Sequence, residues 1–234
     1  MMSKLFAIGR RGRKAHVGEV DLAILTVALI AVAISGYVLY TSIQPQSGAA
    51  TRGGSTPSLI TSTSNYSLTL VITTNNLWNG TTPQPRYWVL TPNGLESSAN
   101  IKLPAHTLIV LTIIDYDSPT PLPAQFAQVT GTVGGVVYLI NSTTAGSGNP
   151  NLSAATAVSS FNPNTGVAHT FTIPQLGINI PSAPGSVEVA EFYINQTGTF
   201  TWHCMDPCGI GPGGWGGAMS TPGWMEGNVT VYNP

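Results

Sequence analysis

Two cysteines lie close together near the end of this 234-residue chain, and the chain contains no others. Cys204 and Cys208 follow a strand-like run and are separated by three residues. Met225 lies beyond them, and His169 lies upstream of the first thiol. Thiolate and thioether sulfur favour copper, and an imidazole nitrogen completes such a ligand set. The order His, Cys-x3-Cys, Met therefore predicts a copper site with soft ligands.

Charged side chains are scarce and unevenly placed. They make up 7% of the residues, against roughly 25% in an ordinary soluble protein. Most of the eight basic residues fall near the N-terminus, at Lys4, Arg10, Arg11, Arg13 and Lys14. The rest of the chain holds only Arg52, Arg86 and Lys102. Binding of nucleic acid needs clustered basic side chains, so the sequence argues against a nucleic-acid partner. We hypothesise that so uncharged a surface suits an acidic medium.

An uncharged, mostly apolar run occupies residues 22–40. At about 1.5 Å per residue, a helix of this length spans the roughly 30 Å hydrocarbon core of a membrane. A helix buried in protein would show a polar face, and a cleaved signal peptide usually has a shorter apolar region. We therefore predict a basic cytoplasmic tail at 1–18 and a single-pass transmembrane helix at 19–42. The basic residues before the run place the N-terminus in the cytoplasm and the C-terminal domain outside the cell.

Residues 43–66 are predicted to form a linker rich in Gly, Ser, Thr and Pro. An alternating run beginning at Ser67 opens the folded domain, which we expect to fill residues 67–234. Further strands are predicted at 87–90, 107–114, 135–140, 169–173, 187–194, 198–203 and 227–232. No segment after the apolar run has a sustained helical period, which indicates an all-β sandwich or barrel. A long insertion is expected at about 115–168.

Six Asn-x-Ser/Thr triplets are candidate glycosylation sites on an exported domain. They begin at Asn65, Asn79, Asn141, Asn151, Asn195 and Asn228. A chain rich in Asn, Ser and Thr also produces such triplets by chance, so their number alone does not establish glycosylation. We expect glycan at some of them.

Four short motifs follow one another within residues 165–234. They are His169-x-Phe171, Pro174-x-Leu176-Gly177, Pro184-Gly185 and Cys204-x3-Cys208-Gly209. Together they resemble the cupredoxin domain of subunit II of haem-copper terminal oxidases. The resemblance implies an all-β, cupredoxin-like Greek-key sandwich or barrel preceded by one N-terminal transmembrane helix.

In that family two thiolates, two imidazoles, a thioether and a backbone carbonyl hold a dinuclear copper centre. The resemblance assigns the first imidazole to His169 and the thiolates to Cys204 and Cys208. It assigns the carbonyl to Asp206 and the thioether to Met225. The family's electron donor is cytochrome c, and its haem lies in a partner subunit.

The second imidazole of the family is expected at position 212, where this chain has Pro212. No histidine follows His203, and neighbours on a strand face opposite sides, so His203 should point away from Cys204. A Gly-rich segment then separates Pro212 from Met225. The sequence therefore predicts an incomplete dinuclear centre.

Three interpretations of the cysteine pair follow. The first is a dinuclear copper centre that lacks one imidazole. The second is a single copper ion held by His169, one or both thiolates, and Met225 or Met219. The third is a metal-free relic in which Cys204 and Cys208 are free or joined in a disulfide. From the sequence we favour the metal-free interpretation.

Other residues near these motifs have ordinary structural explanations. His106 is expected at the surface or at a strand edge, and Asp115 and Asp117 are expected to serve a turn after a strand. The tryptophans around the thiols either pack the Gly-rich loop or relay electrons, and we favour packing for Trp202, Trp215 and Trp224.

Three functions remain open. The first is a non-catalytic subunit II of a membrane terminal oxidase, which docks on a haem-bearing subunit I and other membrane subunits. Loss of its copper would imply an oxidase of the archaeal type that is fed by quinol. The second is a membrane-anchored copper protein that transfers electrons at the cell surface. The third is a pilin-like structural subunit, which leaves the clustered thiols unexplained.

Overall fold

The computed structural model of the protein describes residues 65–140 and 155–234. The predicted cytoplasmic tail and transmembrane helix, and the linker up to residue 64, lie outside the described residues. The triplets at Asn141 and Asn151 lie outside them as well. Within the two described ranges, no helix is long and apolar enough to cross a membrane.

Strands dominate both described ranges, and the helical segments between them are 3-10 turns of three or four residues. The all-β fold class expected from the sequence is therefore confirmed for the described residues. Their strands are β1 (Asn65–Trp78), β2 (Thr82–Thr91), β3 (Gly94–Ser97), β4 (Asn100–Pro104), β5 (Leu108–Asp115), β6 (Val137–Ile140), β7 (Thr156–Val158), β8 (His169–Ile173), β9 (Ile178–Ser182), β10 (Val187–Tyr193), β11 (Gly198–His203) and β12 (Glu226–Tyr232).

The strands form two sheets. The larger sheet has the order β3-β2-β1-β5-β10-β6-β7, and the smaller has the order β4-β12-β11-β8-β9. Most neighbours are antiparallel, but β1 runs parallel to β5 and β4 runs parallel to β12. Because several neighbours are distant in sequence, the chain crosses between the sheets repeatedly, as in a sandwich.

The apolar faces of the two sheets enclose one core. Leu70, Ile72 and Leu111 contribute to it from the larger sheet, and Phe171 and Trp202 from the smaller. All five side chains are fully buried. Burying a large apolar side chain contributes about 1.5–3 kcal/mol, so this core holds the strands that carry the candidate site in a fixed register.

Four of the strands escape prediction from the sequence: β3, β4, β7 and β9. Every residue of β3 is exposed, so it shows no alternation of apolar and polar residues. β9 contains Pro181, which normally argues against a strand. The strand tolerates this proline because it lies at the edge of the smaller sheet, where one side of its backbone needs no partner.

Several strand ends meet at one end of the sandwich. β8 begins at His169, whose partner across the sheet is Ser182 at the end of β9. β11 pairs with β8 through His203 and Thr172, so the residues that follow His203 approach the start of β8. β5 ends at Asp115, whose carboxylate accepts a hydrogen bond from the Ser182 hydroxyl at 2.8 Å. Residues from both sheets thus converge at this end.

The described parts of the segment between β5 and β8 extend the larger sheet and fold over the smaller one. β6 pairs with β10, and β7 pairs with β6. Thr130 and Asn179 exchange two backbone hydrogen bonds of 2.9 and 3.0 Å. The Asn179 side chain also donates to the carbonyls of Phe126 and Gln128. These bonds tie the segment to β9, next to the strand that carries His169.

Candidate metal centre

Three side chains that are far apart in sequence meet at this end of the sandwich. The ligand atoms of His169, Cys204 and Cys208 all lie within 4.8 Å of one another. The His169 Nδ1 atom is 3.8 Å from the Cys204 Sγ atom, and the two Sγ atoms are 4.0 Å apart. His169 and Cys204 are each 1% exposed, so the protein shields them from water.

Backbone contacts hold the first thiol in place. The Cys204 N–H donates to the Met225 carbonyl at 2.8 Å, which continues the pairing of β11 with β12 by one residue. The Thr170 N–H points at the Cys204 Sγ atom at 3.5 Å. The Thr170 hydroxyl accepts a hydrogen bond from the Met205 N–H at 2.8 Å. β8 therefore fixes both the imidazole and the loop that carries the thiols.

The carbonyl of Asp206 lies where the resemblance places an oxygen ligand. It accepts a hydrogen bond from the Cys208 N–H at 2.8 Å and lies 3.7 Å from the Cys204 Sγ atom. The Asp206 carboxyl group is fully buried, and neither of its oxygens has a hydrogen-bond partner among the described residues. Burial, and then the negative charge on Cys204, raise the pKa of Asp206 to about 8. This carboxyl group is therefore mainly neutral at pH 7.

The thioether nearest the thiols belongs to Met219. Its Sδ atom is 3.3 Å from the Cys208 Sγ atom. Met225, to which the resemblance assigned this ligand, is fully buried in the core and meets Cys204 through its backbone carbonyl. Met219, the other thioether that the sequence allowed, is thus the methionine whose sulfur contacts a cysteine sulfur.

A short 3-10 turn, Gly217–Ser220, presents the Met219 side chain. The turn starts with Gly217 at a φ of +65°, a conformation that glycine adopts without steric cost. The buried Gln84 side chain on β2 accepts a hydrogen bond from the Ala218 N–H at 2.7 Å. The Thr221 hydroxyl donates to the Gly217 carbonyl at 2.7 Å. The larger sheet therefore helps to position a sulfur that lies against the smaller one.

The Gly-rich segment after Cys208 forms a small hairpin with Pro212 at its exposed tip. Ile210 and Gly216 exchange two backbone hydrogen bonds of 3.1 and 2.7 Å. Gly214 has a φ of +76°, and a Cβ atom there would overlap the Pro207 carbonyl. The loop therefore needs glycine for its close backbone approach, and its tip carries a proline where the family has an imidazole.

The remaining described histidines lie outside the cluster. His203 is 37% exposed, and its Nδ1 atom is 3.3 Å from a carboxylate oxygen of Glu226. This fits the expectation that His203 and Cys204 face opposite sides of the strand. His106 is exposed in the turn between β4 and β5, as expected. Among the described histidines, His169 alone contributes to the cluster.

The second ring nitrogen of His169 faces a carboxylate. Its Nε2 atom is 3.0 Å from the Asp117 Oδ2 atom. Burial by itself would lower the pKa of His169, but Asp117 and Cys204 raise it well above its usual value. Partial burial of Asp117 is outweighed by the hydrogen bond from His169, so the pKa of Asp117 is lowered. The imidazole is thus held between a carboxylate and a thiol.

The two thiols are free, and one of the two sulfur atoms faces the other as a possible hydrogen-bond donor. Burial alone would raise the pKa of Cys204, but hydrogen bonds from Cys208 and His169 hold it well below its usual value. The Cys204 thiolate, followed by burial, raises the pKa of Cys208. A disulfide needs an S–S distance of about 2.05 Å, and the two Sγ atoms are 4.0 Å apart. The cysteines are therefore not bonded to each other here, and the disulfide of the metal-free interpretation stays a prediction.

The donor set suits copper. Two cysteine sulfurs, a thioether and an imidazole nitrogen are soft or intermediate ligands of the kind that copper prefers. Two thiolates that share a tetrahedral metal with bonds of roughly 2.3 Å lie about 3.8 Å apart, close to the observed 4.0 Å. Metal binding to both sulfurs would release any proton that the two thiols still carry.

Trp202 and Trp224 pack against neighbouring side chains, as expected for tryptophans near the thiols, whereas Trp215 is exposed. Trp202 is fully buried, and its ring centroid is 5.1 Å from that of Tyr87. Arg86 lies between two indole rings, with its guanidinium carbon 3.7 Å from the Trp88 ring centroid and 4.8 Å from that of Trp224. Trp215, on the hairpin, is 47% exposed.

Sequence reasoning missed two residues of the site. It assigned Asp117 to a turn, and it did not single out Tyr87. Tyr87 is fully buried, and its ring contacts the His169 imidazole edge to face at 6.3 Å. Nothing in the sequence around Asp117 indicates that it contacts His169, which lies 52 residues further along the chain. For Tyr87, the neighbouring aromatic Trp88 was the available signal.

Comparisons with known sequences agree with the motifs. Residues 152–213 match the family model of the cytochrome c oxidase subunit II periplasmic domain. Cytochrome c oxidase subunit 2 of Culex quinquefasciatus and that of Aedes aegypti are each 42% identical over 45 residues, which cover 19% of this chain. The match spans 20% of the length of each relative. The resemblance of the C-terminal segment to oxidase subunit II is thus confirmed for the matched residues.

Several solved structures are similar at low identity. The periplasmic domain of subunit II of a Bradyrhizobium japonicum cytochrome oxidase is 12% identical, with a TM-score of 0.32, and 72% of this chain and 84% of that chain are covered. A chain of a haem-copper terminal oxidase dimer is 14% identical, with a TM-score of 0.34 and coverage of 92% and 100%. Rusticyanin from Thiobacillus ferrooxidans is 13% identical, with a TM-score of 0.30 and coverage of 72% and 77%. At this similarity none of the three bears on the function of this chain.

Proposed function

We propose that this chain is subunit II of a membrane haem-copper terminal oxidase and that its β domain carries electrons through a copper site. One observation carries the proposal: four donor side chains converge at one end of the sandwich. We call His169, Cys204, Cys208 and Met219 the ligand cluster. Copper bound there would supply a one-electron redox couple. The chain's own residues hold the donors and exclude water.

The ligand cluster supports a single copper ion better than a dinuclear centre. Pro212 stands at the exposed tip of the hairpin, in the place of the family's second imidazole. His203 is engaged with Glu226 outside the cluster. One imidazole, two thiols and one thioether are enough to ligate one copper ion. The alternative of a metal-free relic leaves the convergence of these four donor side chains without a role.

In this proposal the chain is a single-pass protein of the cell membrane, with its N-terminus in the cytoplasm and its β domain outside. Its partners are a haem-bearing subunit I, other membrane subunits and lipid. The basic N-terminus and the apolar run at 22–40 support this orientation. Asn79, Asn195 and Asn228 are exposed on the β domain and are accessible to a glycan. Asn65 is half-buried.

With copper retained, the proposed electron donor is still membrane quinol, as in archaeal oxidases of this type, and the basis for this proposal is the lack of a charged docking surface for a soluble protein. Of the two basic side chains in the described ranges, Arg86 is stacked between indole rings and Lys102 is exposed. The acidic residues Asp115, Glu188 and Asp206 are buried. Neither sign of charge forms a docking patch, so electrostatic steering of a protein donor should be weak.

Copper loading of the full chain in detergent tests the site. We expect one equivalent of copper and an intense visible band from thiolate-to-copper charge transfer. The variant with Cys204→Ser and Cys208→Ser together should lose both. A wild-type chain that takes up no copper would favour the metal-free relic, and two copper ions per chain would favour the dinuclear centre.

Purification from the native membrane tests the assembly. We expect haem to co-purify with this chain, and the purified complex to oxidise quinol with oxygen. A chain that purifies alone with copper would support the alternative of a surface electron-transfer protein. Filaments of this chain would support the pilin-like alternative.

A further inference from the structure

Asp117 makes a contact beyond the turn that follows β5. It follows β5 of the larger sheet, whereas its partner His169 opens β8 of the smaller sheet. Its Oδ2 atom is 3.0 Å from the His169 Nε2 atom, the ring nitrogen that points away from the thiols. The Nδ1 atom of the same ring faces Cys204 at 3.8 Å. The imidazole therefore bridges a carboxylate and the ligand cluster.

The position of the Asp117 carboxylate is itself fixed. Its Oδ1 atom accepts a hydrogen bond from the Ser118 N–H at 2.7 Å, which leaves Oδ2 for the imidazole. The Asp117 N–H donates to the Asp115 Oδ1 atom at 2.8 Å. The other oxygen of Asp115 accepts from the Ser182 hydroxyl at 2.8 Å.

These contacts lead back to the strand that carries the imidazole. Ser182 is the register partner of His169 across β8 and β9. The path therefore runs from His169 to Asp117, to Asp115, to Ser182 and back to His169. Asp115 and Ser182 are both buried, so water competes little for the bond between them. The bonds of Asp117 to Asp115 and Ser118 are local turn bonds, whereas its bond to His169 reaches a strand of the other sheet.

We infer that Asp117 is a positioning residue, which holds the His169 ring so that Nδ1 is presented to a metal at the ligand cluster. The inference rests on the proposed copper site. A carboxylate that accepts from one ring nitrogen fixes the tautomer and the orientation of the ring, and it increases the basicity of the nitrogen that binds metal. The segment between β5 and β8 thereby contributes to the site without supplying a ligand.

Copper affinity of the full chain in detergent gives the first test, with Cu(II) as the probe in competition with a chelator. Loss of a hydrogen-bonding partner of a metal ligand typically weakens metal binding about 10–100-fold, and we expect a loss in this range for Asp117→Ala. Asp117→Asn keeps one acceptor oxygen and should lose less. Glu96→Gln, at an exposed carboxylate on β3, is the matched control and should bind as wild type. An Asp117→Ala affinity within twofold of wild type would overturn the inference.

A second measurement needs no copper. The chain has four histidines, so nitrogen NMR of the full chain labelled at histidine can follow His169 directly. At a pH at which the ring is neutral, we expect Nε2 to carry the proton in wild type, and we expect a mixture of tautomers in Asp117→Ala. An unchanged His169 spectrum in a folded Asp117→Ala chain would contradict the positioning role. If wild type binds no copper but the spectrum changes as expected, the proposed function fails and the positioning of His169 stands.

Discussion

The family resemblance assigns the thioether ligand to Met225, whereas the distance between sulfur atoms in the structure points to Met219. Both are buried, but the sulfur of Met219 lies 3.3 Å from the Cys208 Sγ atom. Met225 contributes its backbone carbonyl to the pairing of Cys204. At the scale of single residues, the type of a side chain suggests a ligand, and the turn that carries it decides whether the sulfur reaches the metal.

Replacing each methionine by leucine in turn tests which of the two thioethers binds copper. Met219→Leu removes the thioether at the ligand cluster, so we expect weaker copper binding and a shifted visible and EPR spectrum of the copper-loaded chain. Met225→Leu conserves volume and should cost less than about 1.5 kcal/mol of stability, with an unchanged spectrum. The reverse pattern would return the ligand role to Met225.

Besides Asp206, two further buried carboxyl groups contribute to the pH dependence of stability, Asp115 and Glu188. Burial raises the pKa of Asp115 from 3.8 to about 6. Burial, and then the charge of Asp115, raise the pKa of Glu188 well above its usual value. Ser182 and the Ala183 backbone face Glu188, but no well-formed hydrogen bond reaches its carboxyl oxygens. Both groups therefore favour their neutral forms in the folded state.

The sign of the effect follows from the raised pKa values. The folded state binds these protons more tightly than the unfolded state, so their contribution is complete at low pH and is lost as pH rises through the folded pKa values. For Asp115, a shift from 3.8 to about 6 corresponds to about 3 kcal/mol between acidic and neutral pH. We expect the free energy of unfolding in denaturant to fall as pH rises from 4 to 7, in agreement with the hypothesis of an acidic medium.

Glu188→Gln tests this effect. The variant cannot ionise, so its free energy of unfolding should depend less on pH than that of wild type. Glu191→Gln lies on the same strand, with its side chain on the other face, and serves as the control. An equally steep pH dependence in Glu188→Gln would show that other groups are responsible.

Arg86, on β2, supports the loop between β11 and β12. Its guanidinium group stacks between Trp88 on β2 and Trp224 in the loop before β12. Its Nε atom donates to the Gly223 carbonyl at 2.9 Å. Because the Met219 turn lies within the same loop, this clamp helps to keep the thioether near the thiols.

Arg86→Lys should weaken the clamp even though it keeps the charge. A lysine cannot reproduce the planar stacking and the Nε hydrogen bond, and we expect a loss of about 1–2 kcal/mol in the free energy of unfolding. The copper spectrum should also broaden as the loop loosens. Lys102→Arg, at an exposed site, is the control. Unchanged stability in Arg86→Lys would mean that packing of the loop, rather than the stacked cation, holds it.

Scarcity of charge is a property of the whole molecule. Asp117 and Glu226 face histidines, and most other acidic side chains of the described domain are buried. Association with a protein donor that docks by charge becomes slower as the salt concentration rises, because dissolved ions screen the attraction that steers the two proteins together. We expect quinol oxidation by the purified complex to change less than about twofold between low and high salt, measured as oxygen uptake. A steep fall with salt would point to a charged protein donor instead.

The sequence by itself determined the all-β class and most strands of the core, and it left three interpretations of the Cys-x3-Cys segment open. Alternation of apolar and polar residues is a local property, and it marks strands such as β8 and β11 without knowledge of their neighbours. The resemblance expects an imidazole at position 212, where the sequence has Pro212. The edge strand β9, with its proline, was beyond this reasoning.

The tertiary structure alone decided which groups meet. Met219 approaches Cys208 because a 3-10 turn is held by Gln84 of the other sheet. Asp117 approaches His169 because β5 ends where β8 begins. Such contacts depend on the packing of two sheets and on hydrogen bonds between residues far apart in sequence. Spacing along the chain carries no record of these distances in space.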